Sequence, residues 1–502
     1  MTHCGPGIGY SSAAAAAVSP GSPIVEMLLC ALGYAAAIGL CASMVARRGG
    51  LLLACVVAVL LVVALGRYYK WYYWLVPIVS LWSALGVLET RAALRCGLVA
   101  GVAWLFRIEI GLASFAIAFA GVGAAAVCEA GTWRSVAARC SRGVFLVLAG
   151  ASVPIGLWTV LLGSRGGAGA VVDQYRFYFD AAGDLVGMLA LPPFPFDWSD
   201  PVGPANRTAV VQVFAVATVV LATAVGAAGL WRKKSEGRPT LLACGVVGAA
   251  AAAVLPQAFH RADAPHLAQV LPPLLLAWAF VFSAVRGGGT GFPGRSQGCP
   301  RARGRLEASI RPVAWVLGLG WAAGLVFLPL PNERRPVWDD PIGRLTRMAG
   351  ADLTGLESTF AEMLVAANTL TGPGDRVLFL PREGLICEAQ VYYWVDRPMA
   401  GNLQAYYLGL FATPPWPVIN AGLVEQAPPA IVIAERRFIR EGYRNETLDR
   451  YHPELLAFVR PRYTRVVFEN EVWMLLATDA PTNMDSGTGR GLLDGTPKPA
   501  QN

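Results

Sequence analysis

Two apolar runs and the turn between them decide the fold class: LLACGVVGAAAAAVLPQAF (241–259), HRADAPH (260–266) and LAQVLPPLLLAWAFVFSAV (267–285). Each run is close to the roughly 20 residues that a helix needs to cross a bilayer. The turn holds two of the four histidines, together with one arginine and one aspartate. Charged groups are costly inside a membrane and cheap at its surface, so the pattern predicts a membrane hairpin with a polar turn at one face.

The composition extends this prediction to most of the chain. Charged residues make up 15% of the sequence, well below the roughly 25% of soluble domains, and hydrophobic residues make up 55%. Ten apolar runs occur, at about 24–46, 51–66, 72–89, 96–106, 110–127, 143–163, 208–231, 240–259, 267–285 and 313–331. We therefore expect a polytopic α-helical membrane protein with about ten transmembrane segments. The runs at 96–106 and 110–127 are short, and they predict either one bent helix or a helical hairpin.

The basic residues predict the orientation in the membrane. One set of loops holds 17 Lys/Arg against four Glu, which is typical of the cytoplasmic side. The opposite face then receives Lys70, the Arg107–Glu109 turn, the loop 164–207 and the turn 260–266. Since the net charge of +8 arises from short loops and not from a patch on a soluble domain, it does not indicate nucleic-acid binding.

The chain divides into four predicted regions. Residues 1–23 form an extracytoplasmic segment, residues 24–331 a transmembrane domain, and residues 332–480 an extracytoplasmic α/β domain. In this last domain we expect a helix at 352–370, buried strands at 376–381 and 429–434, a helix at 387–395, and a closing hairpin over 465–476. Residues 481–502 are predicted to be a disordered tail.

Four groups of residues on the predicted outer face are candidates for a site. They are the turn with His260, Arg261, Asp263 and His266; the Arg107–Glu109 turn; the run 66–74 with Lys70 and six aromatic residues; and the loop carrying Asp173, Asp180 and Asp184. Cations at such a surface suit a phosphate, and a carboxylate can act as general base on a hydroxyl.

Each group also has a structural interpretation. The 260–266 segment fits a polar turn that caps two helices, and the aromatic run fits an interfacial girdle as well as a sugar-stacking platform. Arg107 and Glu109 fit a structural ion pair, and the loop aspartates fit solvated surface groups. The ten cysteines show no CxxC or Cys/His spacing, so no metal ligand set is predicted.

Three segments resemble motifs of one superfamily. GLVAGVAWLFRIEIG (97–111) resembles the GxxxGxAxLxRxDxG segment of bacterial polytopic glycosyltransferases. RADAPH (261–266) resembles their RxDxxH turn, and YYWVDR (392–397) resembles the YfladR pattern that follows the last helix. Together they resemble the C-type glycosyltransferases that use polyprenyl-phosphate sugars, a superfamily that includes the protein-O-mannosyltransferases and the lipid A aminoarabinose and galacturonic acid transferases.

The resemblance implies transfer of a sugar from undecaprenyl- or decaprenyl-phosphate to a glycan, lipid or protein acceptor outside the cytoplasmic membrane. Arg107 and Arg261 would hold the donor phosphate, with Lys70 as a further cation. Glu109, His260 and His266 would shape the site, and Asp263, Asp173 and Asp180 are the candidate catalytic carboxylates. No cofactor is implied, although a divalent metal is compatible because relatives differ in metal dependence.

The N-terminus departs from the family pattern. The family carries its catalytic acidic residue in a long outer loop after the first helix, whereas the first carboxylate in this chain is Glu26. We therefore expect a truncated start, a protein that has lost its base, or replacement of the base by Asp173, Asp180 or Asp184. A non-catalytic scaffold of the same fold is the alternative function, followed by a transporter, which the clustering of charges at helix ends on one face disfavours.

Overall fold

The computed structural model describes residues 18, 24–64, 71–86, 90–129, 132–189, 198–199, 204–231, 238–260, 264–286, 301–327, 358–380, 391, 395, 397–401, 416–441, 448–449 and 452–479. They belong to two compact units, Met1–Gly350 and Ala351–Asn502. Apart from isolated positions, the predicted N-terminal segment, the helix predicted at 387–395 and the tail 481–502 lie outside the described residues.

The regular elements in the described ranges of the first unit are all helices. Its helices are α1 (Ile24–Gly49), α2 (Leu51–Val63), α3 (Tyr72–Leu85), α4 (Thr90–Phe106), α5 (Ile108–Glu129), α6 (Trp133–Leu189), α7 (Pro204–Trp231), α8 (Arg238–Val254), α9 (Pro256–His260), α10 (Ala264–Arg286) and α11 (Arg301–Phe327). Within the described ranges, six stretches are long and apolar enough to cross a membrane and four apolar helices are shorter. All ten coincide with the predicted apolar runs. The chain is a polytopic helical membrane protein.

Helices α4 and α5 form a hairpin that reverses at Arg107. The ring centroids of Trp104 in α4 and Phe115 in α5 are 6.4 Å apart, whereas a straight helix would separate these positions by about 16 Å. A Cβ atom at Gly111 would lie 2.7 Å from the Cα atom of Trp104, so this close approach requires glycine. The structure therefore contains the hairpin and not the single bent helix.

Helix α10 lies at the centre of the first unit. Its stretch Leu267–Val285 is 94% buried, as expected for a helix that is apolar on all sides. It contacts α1, α2, α3, α7, α8, α9 and α11. The indole N–H of Trp278 donates a hydrogen bond of 2.9 Å to the carbonyl of Ala314, which fixes α10 against α11.

The prediction of a loop at 164–207 is wrong for residues 164–189, which are part of helix α6. Helical structure continues to Leu189 beyond one break at Gly167, which has φ 73° and ψ −178°. The glycines near this point are typical of a loop, but among those that the structure describes only Gly167 adopts the left-handed region that favours glycine. The glycine content therefore marks a break between two helical segments and not the start of a loop.

The second unit is built on a four-stranded sheet. Its elements are α12 (Ser358–Leu370), β1 (Val377–Phe379), α13 (Trp416–Gln426), β2 (Ile431–Glu435), α14 (Arg436–Arg440), α15 (Pro453–Arg462), β3 (Arg465–Glu469) and β4 (Trp473–Ala477). The strand order is β1-β2-β4-β3, with β1 and β2 parallel and the other pairs antiparallel. The two buried strands and the closing hairpin lie where the sequence predicts them.

The core of this unit lies between the sheet and α12. Phe379, Ile433 and Leu475 are fully buried and pack with Met363 and Leu364 of the helix. Arg397, the last residue of the third sequence motif, donates hydrogen bonds to the backbone carbonyls of Asn368 and Thr371 at the end of α12, of 3.2 and 2.7 Å. These bonds satisfy carbonyls that a helix end leaves open, so this arginine has a structural role.

Candidate functional site

Three side chains meet at the tip of the α4–α5 hairpin. Arg107 forms an ion pair with Glu109, and the two side chains are 15% and 33% exposed. The hydroxyl of Tyr73 donates a hydrogen bond of 3.4 Å to Oε1 of Glu109, and the guanidinium carbon of Arg107 lies 5.3 Å from the centre of the Tyr73 ring. One carboxylate, one cation and one phenol are therefore grouped at the end of apolar helices.

Local structure explains why these groups meet. Arg107 is the single residue between α4 and α5, and Glu109 lies in the first turn of α5, where the partial positive charge of the helix N-terminus favours a carboxylate. Tyr73 lies in the first turn of α3. The neighbouring Trp74 donates a hydrogen bond of 2.7 Å to the Ala268 carbonyl, which ties the start of α3 to α10.

A cavity of about 330 Å³ lies beside this group. Its polar lining residues are Tyr73, Glu109, Gln257 and Gln269, and its other walls are apolar side chains of α3, α5, α8 and α10 and the proline that begins α9. Arg107 does not line the cavity itself but adjoins it through Glu109. The volume is at the lower end of the roughly 300–1,000 Å³ that is typical of small-molecule sites.

The structure brings together the flanks of three predicted groups. The cavity is lined by Tyr73 from the aromatic run, by Glu109 from the hairpin, and by Gln257 and Gln269 from the helices on either side of the 260–266 turn. The arrangement places a guanidinium next to a carboxylate in a largely apolar setting. A guanidinium can contact a phosphate through two parallel hydrogen bonds.

For the other predicted site residues, the structure does not describe the position of the side chain. His260 ends α9 and His266 lies near the start of α10, and Asp173 and Asp180 lie in the helical part of α6 after Gly167, but the side chains of these four are outside the described part of the chain. The side chain of Asp184 also falls outside it, and so do the whole residues Lys70, Arg261 and Asp263. Their proposed roles remain predictions.

The described residues of the aromatic run fit neither of the two roles that the sequence suggests for it. Tyr72, Tyr73 and Trp74 are 2%, 5% and 0% exposed, so they belong to the helical core and not to an interfacial girdle or an open stacking platform. Sequence reasoning missed Gln269, because one glutamine in the run at 267–285 shows neither periodicity nor a motif. Among the described residues, no group of three His, Cys, Asp or Glu that could hold a metal occurs.

No protein-family model and no curated protein matches the sequence. The fold is similar to the crystal structure of ArnT from Cupriavidus metallidurans bound to undecaprenyl phosphate, with a TM-score of 0.47, 13% identity, and coverage of 95% of this chain and 88% of that one. It is also similar to the Archaeoglobus fulgidus oligosaccharyltransferase tethered with an acceptor peptide, with a TM-score of 0.39, 12% identity, and coverage of 95% of this chain and 66% of that one. A structure of AglB from the same organism with dolichol-phosphate gives a TM-score of 0.39, 12% identity, and coverage of 96% and 67%.

Proposed function

We propose that this protein is a membrane glycosyltransferase that moves a sugar from a polyprenyl-phosphate donor to a cell-envelope acceptor on the extracytoplasmic face. The observation that carries the proposal is the Arg107–Glu109–Tyr73 group beside a cavity inside apolar helices. Charged residues at such positions are costly, so their presence favours a role in binding or catalysis. The motif resemblance of residues 97–111 and 261–266 supports the same function.

In the proposed reaction, Arg107 binds the donor phosphate, with Arg261 and Lys70 as further candidate cations. A carboxylate, for which Asp263, Asp173 and Asp180 are the candidates, takes the proton of an acceptor hydroxyl. The acceptor oxygen forms a bond to the anomeric carbon of the sugar while the bond from that carbon to the phosphate oxygen breaks. The phosphate leaves with the electron pair, and the guanidinium stabilises its developing charge.

Charge substitution at the hairpin tests the proposal. Purified protein in nanodiscs is incubated with undecaprenyl-phosphate carrying a radiolabelled sugar and with a cell-envelope extract, and the label in the acceptor is measured. Arg107→Ala should lower the transfer rate at least about 100-fold, because a charge-assisted phosphate contact is removed. Arg139→Ala is the matched control, since Arg139 also pairs with a glutamate, Glu129, but is 49% exposed; its rate should stay within about twofold of wild type.

Three results would contradict the proposal in different ways. Unchanged transfer by Arg107→Ala would remove this arginine from the donor site. Binding of undecaprenyl phosphate with no transfer by the wild type, across donors carrying several sugars, would favour the scaffold. Uptake of a solute by proteoliposomes without transfer would favour the transporter.

A further inference from the structure

One buried side chain in the membrane unit is not explained by packing. Gln269, in the first two turns of α10, is 4% exposed and contributes to the wall of the cavity. Among the described residues, neither its amide nitrogen nor its amide oxygen has a hydrogen-bond partner. Burying an amide without partners costs free energy, so a glutamine at this position calls for a group that pairs with it.

Other buried polar side chains of the same unit are paired within the protein. Gln212 is fully buried and donates a hydrogen bond of 3.1 Å to the Ala258 carbonyl. Ser80 and Ser114 share a hydrogen bond of 2.9 Å, and Thr218 accepts one of 3.0 Å from Trp321. Gln269 differs from them in lining a cavity, which indicates that its partner comes from a ligand.

The chemistry of the amide narrows the class of ligand. A carboxamide presents a donor and an acceptor side by side, so it needs a neighbouring acceptor and donor in return. A phosphate diester offers only acceptors and a polyprenyl chain offers neither. Two hydroxyls on adjacent carbons offer both, because one can donate to the oxygen while the other accepts from the nitrogen.

We propose that the amide of Gln269 forms hydrogen bonds with two adjacent hydroxyls, a vicinal diol, of the transferred sugar. The site then binds a carrier lipid that bears the sugar more tightly than the bare carrier phosphate. The proposal rests on the proposed glycosyltransferase function and adds a specificity-determining residue to it. Glu109 and Tyr73 line the same cavity, so the ring that Gln269 holds lies next to the group that adjoins Arg107. A hydrogen-bonding site of this kind discriminates against a ligand that lacks the hydroxyls, because the buried amide is then left unpaired.

The test compares two kinds of lipid on the full chain in nanodiscs. Dissociation constants are measured for undecaprenyl phosphate and for its mannosyl, glucosyl and arabinosyl esters, all three of which carry a vicinal diol. The wild type should bind at least one ester about tenfold or more tighter than the bare phosphate. Gln269→Leu should reduce that ratio to within about threefold while leaving the affinity for the bare phosphate unchanged.

Gln212→Leu is the matched control, because it removes a buried glutamine that does not line the cavity. It should lower the thermal midpoint, since the Ala258 carbonyl loses its partner, and should keep the wild-type ratio. Gln269→Leu should raise the midpoint of the ligand-free protein, because an unpaired buried amide is removed. If Gln269→Leu folds poorly, Gln269→Met, which is unbranched and of similar length, takes its place.

The outcomes separate the two proposals. If the wild type binds neither the bare phosphate nor any ester, the proposed function fails, and the role of Gln269 fails with it. If it binds the bare phosphate and the esters equally, the lipid site stands and the diol inference is overturned. The inference is also overturned if Gln269→Leu or Gln269→Met keeps the wild-type preference for an ester.

Discussion

The two units of the chain each contain a cluster of arginine and glutamate, and their surroundings differ. In the second unit, Arg436 and Arg440 donate hydrogen bonds of 2.8 and 2.9 Å to Glu469, and the two arginines are 39% and 51% exposed. In the first unit, Arg107 is only 15% exposed and stands between two apolar helices. The exposed cluster of the second unit stays hydrated and therefore costs little free energy. The pair in the first unit has lost part of its hydration, and this cost indicates a function.

Truncating the pair at the hairpin should give the largest change in stability. Arg107→Ala leaves Glu109 partly buried and without its cation, so we expect the free energy of unfolding to fall by roughly 2–4 kcal/mol. The double variant Arg107→Ala/Glu109→Ala should recover part of that loss. Sodium dodecyl sulfate titration in bicelles measures both. A double variant as unstable as the sum of the two single variants would mean that the pair has no coupling and resembles the exposed cluster.

The second unit should instead be sensitive at a buried histidine. His452 is fully buried, and burial lowers its pKa to about 4 from about 6.5. Because the unfolded chain binds the proton more readily, the free energy of unfolding is highest above pH 6.5. It falls by about 3 kcal/mol in total as the pH drops towards 4. The protection factors of peptides within 452–479, which are the intrinsic exchange rates at each pH divided by the measured rates, should therefore fall over this range.

Substitution of His452 provides the control for that prediction. In His452→Gln, the protection factors of the same peptides should depend much less on pH between 6.5 and 4. If the wild-type dependence persists in this variant, another group titrates, and the exposed carboxylates of the unit would be the next candidates.

Removing the hydroxyl of Tyr73 should have a moderate effect. Tyr73→Phe keeps the buried ring and deletes the donor to Glu109, so we expect a loss of about 1 kcal/mol and a transfer rate lowered by a few-fold. Tyr72→Phe is the matched control, since Tyr72 is equally buried but does not line the cavity. Equal effects of the two variants on transfer would remove Tyr73 from the site.

The smallest effect is expected at the exposed cluster. Hydrogen bonds from Arg440 and Arg436 hold the pKa of the Glu469 carboxyl below its usual value. Glu469→Gln should nevertheless shift the thermal midpoint by no more than about 2 °C, and 0.5 M NaCl should remove the difference. A larger shift that salt does not reduce would show that exposure is not what separates the two clusters.

The sequence predicted the helical class and the strands of the second unit because long apolar runs and buried strands leave strong local patterns. It did not choose between a bent helix and a hairpin at Arg107, because that choice depends on contacts such as Trp104 with Gly111 and Phe115. It missed the helix after Gly167, since glycine content does not reveal which glycine takes a positive φ. Gln269 was also missed, because the partners of a buried amide are set by packing and not by neighbours in sequence.

The central position of α10 has a consequence for biosynthesis. Of the described helices that it contacts, α1, α2, α3, α7, α8 and α9 are made earlier and α11 is made later. Helices that enter the bilayer in chain order cannot close around a segment that the ribosome has not yet supplied. The earlier helices must therefore remain loosely associated, or separate again, until α10 inserts among them, and assembly of the bundle is completed late in translation.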